Sequence, residues 1–411
     1  MANTLKFGNG NWATKEGSAL AYNDENGNFK PLPFDFSRAS KATVINKDGL
    51  IEEVGSGEPR IDFLGNTQGA FLLEPSRSNF YTQSNLFSFG GNVTSNNSLS
   101  PDGTLNASKI TKTSSSDQFV ILPWSASLST STTYSLSFFV KHNGDDLDLR
   151  YESNNYNDWG ATPVDDGGVS WNALFEVREN SVIASTVNNC TSNVINFGNG
   201  WYRVVVYVTT SSSITPTSPS NLIRVIGSDT KQFLMYGAMF EQGSYSTSLI
   251  NTQGSTVTRL ADSCNNGANE QVINSTEGVL YAEVSLLSPA TSSAIISLSD
   301  GISNRLFFEF FTANRLYAII ENGSSSFNTV QTITQTNNNK LAFKYSASSC
   351  KLYINGTGYS FGGLNFSSGT LDTLNFASSN GTSAKFIGNV KDVRVYNTAL
   401  SDSELAALTQ V

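Results

Sequence analysis

The 411-residue chain has a single histidine, His142, only three cysteines and three methionines, and just 14 % charged residues. Each scarcity closes off a class of chemistry. A Ser-His-Asp or Cys-His site would have to be built on His142, which follows the strand-like run Ser135–Val140 and precedes Asn143-Gly144, the position of a surface strand-end residue. No serine stands in a Gly-x-Ser-x-Gly elbow. Cys190, Cys264 and Cys350 are odd in number, far apart and without Cys-x-x-Cys spacing. They support neither a disulfide framework nor a zinc site, and read as isolated free thiols. Basic residues are also in deficit, 25 Lys and Arg against 34 Asp and Glu for a net charge of −9, with no basic stripe. A nucleic-acid or polyanionic membrane partner is therefore not expected. No apolar run reaches the roughly eighteen residues of a membrane span. Met1 to Trp12 lack the basic and apolar regions of a signal peptide, so synthesis in the cytoplasm of the producing cell is expected.

What fills the chain is Asn, Ser, Thr and Gly, with 38 % hydrophobic residues. That mixture suits short strands joined by many turns and argues against a helical protein. Phe, Tyr and β-branched residues recur in regular runs, which separates the chain from disorder. Neither heptads nor a fixed-period repeat is present, so neither a coiled-coil shaft nor a long β-helix is expected.

The patterning divides the chain into four parts. Residues 1–76 hold few apolar groups, a weak core that would need completion by a neighbouring subunit or a larger particle. Within them Val44-Ile45, Asn46-Lys47-Asp48-Gly49 and Leu50-Ile51 read as a hairpin closed by an Asp-Gly turn. Residues 77–262 read as a β-sandwich: Tyr134, Leu136, Phe138 and Val140 alternate with their neighbours, the period of a half-buried strand. Trp201–Val208, Leu222–Ile226 and Phe233–Glu241 are further strands, and Trp201 and Tyr202 read as core. Residues 263–275 are polar and turn-rich, as a linker would be. Residues 276–411 form a last β domain, in which Val393 and Val395 alternate with polar neighbours and Ser401 with Glu404 makes a capping box for a short helix.

Three resemblances follow from these residues. Phe36-Ser37-Arg38-Ala39-Ser40, Asp48-Gly49-Leu50-Ile51, Pro59-Arg60-Ile61-Asp62-Phe63 and Leu72-Leu73-Glu74-Pro75-Ser76-Arg77-Ser78-Asn79 resemble the leader of bacteriophage virion proteins of the head-spike, head-fibre or tail-fibre kind. Pro101–Thr104, Ser135–Val140, Gly200–Val206 and Gly237–Glu241 resemble carbohydrate-binding-module-like jelly rolls. Lys351–Gly356 and Phe386–Leu405 look like the closing elements of laminin-G and concanavalin-like lectin domains. Together they imply an all-β protein with an N-terminal attachment unit, a jelly-roll β-sandwich, and a concanavalin/laminin-G-like β-sandwich ending in a short helix. They further imply a homotrimer on the virion exterior, bound to other virion proteins through the N-terminal unit and to host cell-surface polysaccharide through its β domains.

Candidate chemistry is sparse. No paired-carboxylate string of the laminarinase type occurs in 276–411, and Glu283 and Glu309 each sit alone among apolar neighbours. No catalytic or metal-ligating residue is assigned. The carboxylate-rich stretch from Asp145 to Gly168 admits three readings. It is a solvated set of loops, a calcium site lacking Asp-x-Asp-x-Asp-Gly spacing, or a glycan site. Sugars present apolar C–H faces ringed by hydroxyls, and so call for aromatic plates beside Asp and Asn. Tyr156, Asp158, Trp159, Trp171 and Asn172 have those side-chain types. In the last domain Asp300-Gly301, Asn304, Asn322-Gly323 and Asn380-Gly381 are loop residues with no feature that selects one. Glycan adhesion, glycan depolymerisation and a purely structural spacer remain the functions to separate.

Overall fold

The structure, a computed structural model, describes residues 4–10, 12–15, 19–23, 29–31, 34–154, 159–160, 169–215, 220–227 and 230–411, with backbone alone at Thr4 and in 12–15, 19–23 and 29–31. It is all-β apart from a C-terminal helix, Asp402–Thr409, among the described residues. The chain forms two compact units, and neither is contiguous. The first comprises 1–41, 54–75 and 260–411, and the second 42–53 and 76–259.

The first unit is a sandwich of two antiparallel sheets. One runs in the order Thr357–Phe361, Cys350–Ile354, Asn339–Ser346, Glu277–Leu286, Gly388–Tyr396, Ala70–Leu73, Ile61–Asp62. The other runs Ser326–Thr332, Arg315–Asn322, Asn304–Phe311, Ala294–Ser299, Thr373–Asn375. Alternation decides what each face does. Leu280, Ala282 and Val284 point inward to Leu306, Phe308, Phe310, Ala318 and Ile320. Val279 and Tyr281 point outward and are covered by Leu405 of the helix. That helix starts at the expected place, with Ser401 as N-cap and Glu404 closing the capping box.

The leader belongs to this core. Strand Gly388–Tyr396 uses one edge for Glu277–Leu286, while its other edge is shared by Ala70–Leu73 and Thr4–Gly8. An edge that would otherwise display free N–H and C=O groups is thus occupied. Leu5, Phe7, Phe71 and Leu73 are all buried in the sandwich core. The apolar surface of Leu5, Phe7, Phe71 and Leu73 is covered by 260–411 of the same chain. The stretch 263–275, expected as a linker, is built in as well. Ser263–Asn265 pairs with Asp35–Ser37, and Cys264 and Ile273 are core residues. Its polar composition reflects tight turns at Asn266 and Ala268, both at positive φ. Gly267 lies so close to Phe34 that a Cβ there would fall 2.0 Å from the ring.

Three of the leader's charged residues, Arg38, Arg60 and Glu74, are buried inside the same unit. Arg38 Nη1 donates to Asp262 Oδ1 at 3.1 Å, and Arg60 bridges Asp262 Oδ2 at 2.5 Å and Glu74 Oε2 at 2.6 Å. Asp262 Oδ2 also accepts the Glu74 N–H at 2.8 Å. Arg38 Nε and Nη2 donate to the carbonyls of Ser40 and Gly55. Burial alone would lower the Arg60 pKa, but the two carboxylates outweigh it and hold the guanidinium charged.

The second unit packs two six-stranded antiparallel sheets face to face. The first sheet runs Ser88–Phe89, Gln118–Pro123, Ser220–Ile226, Leu147–Ser153, Asn172–Arg178, Ser181–Asn188. The second runs Asn92–Leu99, Leu105–Thr111, Gln232–Gln242, Thr133–His142, Trp201–Thr209, Thr191–Gly198. Inward residues such as Tyr134, Leu136, Phe138, Val204, Val206 and Phe240 fill the space between them. The Asp-Gly hairpin forms as read, Ala42–Ile45 against Ile51–Val54, with Gly49 at φ +77° and Asn46 Oδ1 accepting the N–H groups of Asp48 and Leu50. Thr43 Oγ1 donates to the Leu249 carbonyl, and the Ile51 N–H to that of Pro101. Asn79 is fully buried and satisfied: its amide donates to Ser84, Ala238 and Ile250, and its oxygen accepts from Tyr81 and Phe240.

Candidate functional site

Of the glycan site expected from Tyr156, Asp158, Trp159, Trp171 and Asn172, the structure places three residues, all of them buried. Tyr156 and Asp158 lie outside the described residues. Trp159 and Trp171 are core residues, each 0 % exposed. Their rings meet edge-on at 5.6 Å inside an aromatic cluster with Tyr134, Tyr151 and Phe240. A sugar cannot stack on a ring with no exposed face, so both are corrected from plates to packing. Asn172 is 5 % exposed and its side-chain oxygen accepts from Asn188 at 3.0 Å. The polar flanks of these tryptophans signal turns, and the rings turn inward from them.

The acids of the same stretch are committed to local partners. Asp145 accepts the Gln232 N–H, Asp146 lies 3.4 Å from His142, and Asp148 pairs with Arg178. Glu152, with no exposed side-chain surface, is gripped by Arg150 at 2.7 Å and Arg224 at 2.9 Å. Asp148–Arg178 and Glu152–Arg224 are cross-strand charge pairs on a sheet face, and Arg150 flanks Glu152 on the same strand. Among the described residues no three Asp, Glu, His or Cys side chains converge on a cation position. Asp165 and Asp166 lie outside them.

Glu283 and Glu309, the two acids weighed in the last domain, do not form a hydrolytic pair. Glu283 shares the outward face of its strand with Val279 and Tyr281, and accepts from Asn338 and Lys391. Glu309 lies between inward Phe308 and Phe310 on the other sheet, and accepts from Ser293. The two carboxyls therefore face away from each other on opposite sides of the sandwich, whereas glycoside hydrolysis needs a pair roughly 5 to 9.5 Å apart.

The loops of the first unit do converge. Asn266, Ala268, Asp300, Gly301, Asp372, Thr373, Ser379 and Asn380 line an open depression of about 490 Å³. Two of the loop motifs singled out in the sequence, Asp300-Gly301 and Asn380-Gly381, thus meet at one place, while Asn322-Gly323 does not join them. Each wall has a local cause. Asp300 ends strand Ala294–Ser299 and nucleates a turn: its Oδ1 accepts the N–H groups of Ile302, Ser303 and Asn304, and its Oδ2 the Asn304 amide. Burial would raise this carboxyl, but those hydrogen bonds prevail and hold it below the ordinary carboxylate range. Asn380 Oδ1 is taken by Ser378 and Thr382, which leaves its amide group to the depression. Asn266, at φ +55°, donates to Asp35. The adjacent Gly267–Leu374 bridge, with bonds of 2.8 and 2.6 Å, fixes this loop against strand Thr373–Asn375. Asp372 is exposed, and its carboxylate takes no hydrogen bond from the described residues. The wall therefore offers free carboxylate acceptors and a few neutral donors. Asp372 and the 266–268 loop were missed in the sequence because only the fold brings them beside Asp300.

A family model of the Concanavalin A-like lectin/glucanases superfamily matches residues 268–406, which include seven of the eight lining residues. Solved structures similar to parts of the chain include the carbohydrate-binding module CBM40 of the Ruminococcus gnavus IT-sialidase, at 17 % identity over 33 % of this chain and 84 % of that one, TM-score 0.30. Domain 4 of a GH43 extracellular arabinanase from Geobacillus stearothermophilus, in complex with arabinotriose, matches at 17 % identity over 40 % of this chain and 82 % of that one, TM-score 0.31. The mouse laminin alpha1 chain domains LG4-5 match at 10 % identity over 70 % and 92 %, TM-score 0.25. At such low identity and TM-score none of the three bears on function. No curated protein matches the chain.

Proposed function

We propose that this chain is a non-enzymatic adhesion protein of a bacteriophage particle, which binds host-surface polysaccharide through the loop depression of its lectin-like unit. The observation that carries the reading is the meeting of Asp300, Asp372, Thr373 and Asn380 around an open polar depression in the region matched by the lectin/glucanases family. Carboxylate oxygens and amides on fixed loops are the groups that read sugar hydroxyls. Placement on the virion exterior, attachment through the N-terminal stretch and assembly as a homotrimer rest on the resemblance of Phe34–Asn79 to phage virion leaders. Many copies on one particle offset a weak single site, since multivalency raises avidity by about 10² to 10⁴. Glu283 and Glu309, on opposite faces of the sandwich, supply no hydrolytic pair, and the test below separates adhesion from depolymerisation.

The test uses the full-length chain on a panel of bacterial surface polysaccharides, with reducing ends monitored throughout. Retention of at least one polysaccharide without new reducing ends supports adhesion. Retention of none makes the chain a structural spacer, and release of reducing ends makes it a depolymerase. Either outcome overturns the reading.

A further inference from the structure

Resting on that reading, we infer that the depression selects neutral, hydroxyl-rich glycans and excludes acidic ones. Its lining contains two carboxylates, Asp300 and Asp372, and no lysine, arginine or histidine. A third carboxylate, Asp35, stands behind Asn266 at 2.7 Å from its amide. Arg305 reaches one lining residue, Ser379, at its Oγ over 3.4 Å. Its charge is committed elsewhere: it pairs with Glu321, and its guanidinium lies 4.9 Å from the Phe307 ring centroid. A uronate, sialate or phosphate entering here would meet like charge with no compensating cation, on a chain already at −9. Rejection by an unpaired like charge is a specificity device in its own right.

The hydrogen-bond inventory points the same way. Asp372 offers acceptor oxygens with no partner among the described residues, whereas the side-chain donors without one are few among them: the Asn380 amide and the Thr373 hydroxyl. The Asn266 amide is spent on Asp35. A ligand matched to this wall must donate more hydrogen bonds than it accepts from it, and sugar hydroxyls do so without carrying charge.

The experiment measures equilibrium binding of the full-length chain to neutral polymers (dextran, mannan, galactan) and acidic ones (polygalacturonate, hyaluronate, polysialate), at low and high salt. The inference expects binding confined to the neutral set and little changed by salt. It also expects Asp372→Asn to weaken that binding about tenfold while the melting temperature stays put, because the residue is exposed. Binding of acidic polymers as tight as, or tighter than, neutral ones overturns the inference and leaves glycan adhesion standing. Binding of neutral polymers that Asp372→Asn leaves unchanged also overturns it, by moving the site away from this wall. Binding to neither set, with Asp372→Lys failing to recruit an acidic polymer, overturns the adhesion reading itself.

Discussion

At the scale of single residues, the polar signature of the leader is a set of buried pins. Arg38, Arg60 and Glu74 meet Asp262, which lies 188 residues beyond Glu74 in sequence, and all four are nearly inaccessible to solvent. Such a lattice is costly to desolvate, and it tolerates the loss of one member poorly because the others are left as unpaired buried charge. Asp262→Ala would remove the carboxylate that Arg38 and Arg60 share and leave Arg60 with Glu74. The expected cost is about 3–5 kcal/mol, read as a lower denaturant midpoint at unchanged slope. A cost below about 1 kcal/mol, the usual value for an exposed pair, would mean that water reaches the lattice. This partnership could not be read from the sequence. The arginines are visible as a motif, but the acid that neutralises them falls in a stretch that patterning assigns to the end of another domain.

At the scale of elements, the strands with a strong apolar pattern were legible because such patterns are local. Tyr134–Val140 and Val393–Tyr396 announce themselves by period two, Trp201–Val208 by an apolar run after the Gly198-Asn199-Gly200 turn, and Ser401 with Glu404 by capping. Pairing is not local, and the leader shows the consequence. Its short strands look too weak to stand alone, which invites a partner from outside, yet Thr4–Gly8 and Ala70–Leu73 complete the edge of a sheet formed by the far end of the same chain. Residues 276–411 are therefore not self-sufficient. Removing 1–75 would uncover the outer edge of Gly388–Tyr396 and the core surface packed on Leu5, Phe7, Phe71 and Leu73. The truncated chain is expected to lose near-ultraviolet circular dichroism, bind a hydrophobic dye and associate, while the full chain does neither. A 276–411 fragment with a cooperative melt matching that of the full chain would refute this. The site was legible to the same degree as the pairing. Asp300-Gly301 and Asn380-Gly381 stand out as turns, but their meeting with Asp372 and Asn266 depends on which strands pair, and Trp159 and Trp171 misled because turn residues flank rings that face inward.

At the scale of the whole molecule, both units hide protonated acids, and this fixes the direction of the pH dependence. Burial raises the thiols of Cys190 to about 12 and Cys350 to about 11, from an ordinary 9.0. It also lifts Cys264 and the phenols of Tyr81, Tyr151, Tyr236, Tyr281 and Tyr345 above their ordinary values. In each case the folded state holds its proton to a higher pH than the unfolded chain. The associated stability is complete below about pH 9 and is lost as the pH climbs through the folded values, because the unfolded state gains from ionisation that the core forbids. On the acid side Glu283, Asp102 and Asp300 are held low by hydrogen bonds that outweigh burial. Their contribution has the opposite sign and fades as the pH falls below the ordinary carboxylate range. The melting temperature is therefore expected to be flat around neutrality and to drop steadily above pH 9. Tyrosine ionisation, followed by ultraviolet difference absorption, should coincide with unfolding rather than precede it, and the thiols should stay silent to a disulfide reagent until the same transition. A chain whose tyrosines titrate near pH 10 with its fold intact would show that these phenols are reached by solvent, and that the cores of both units are looser than their packing implies.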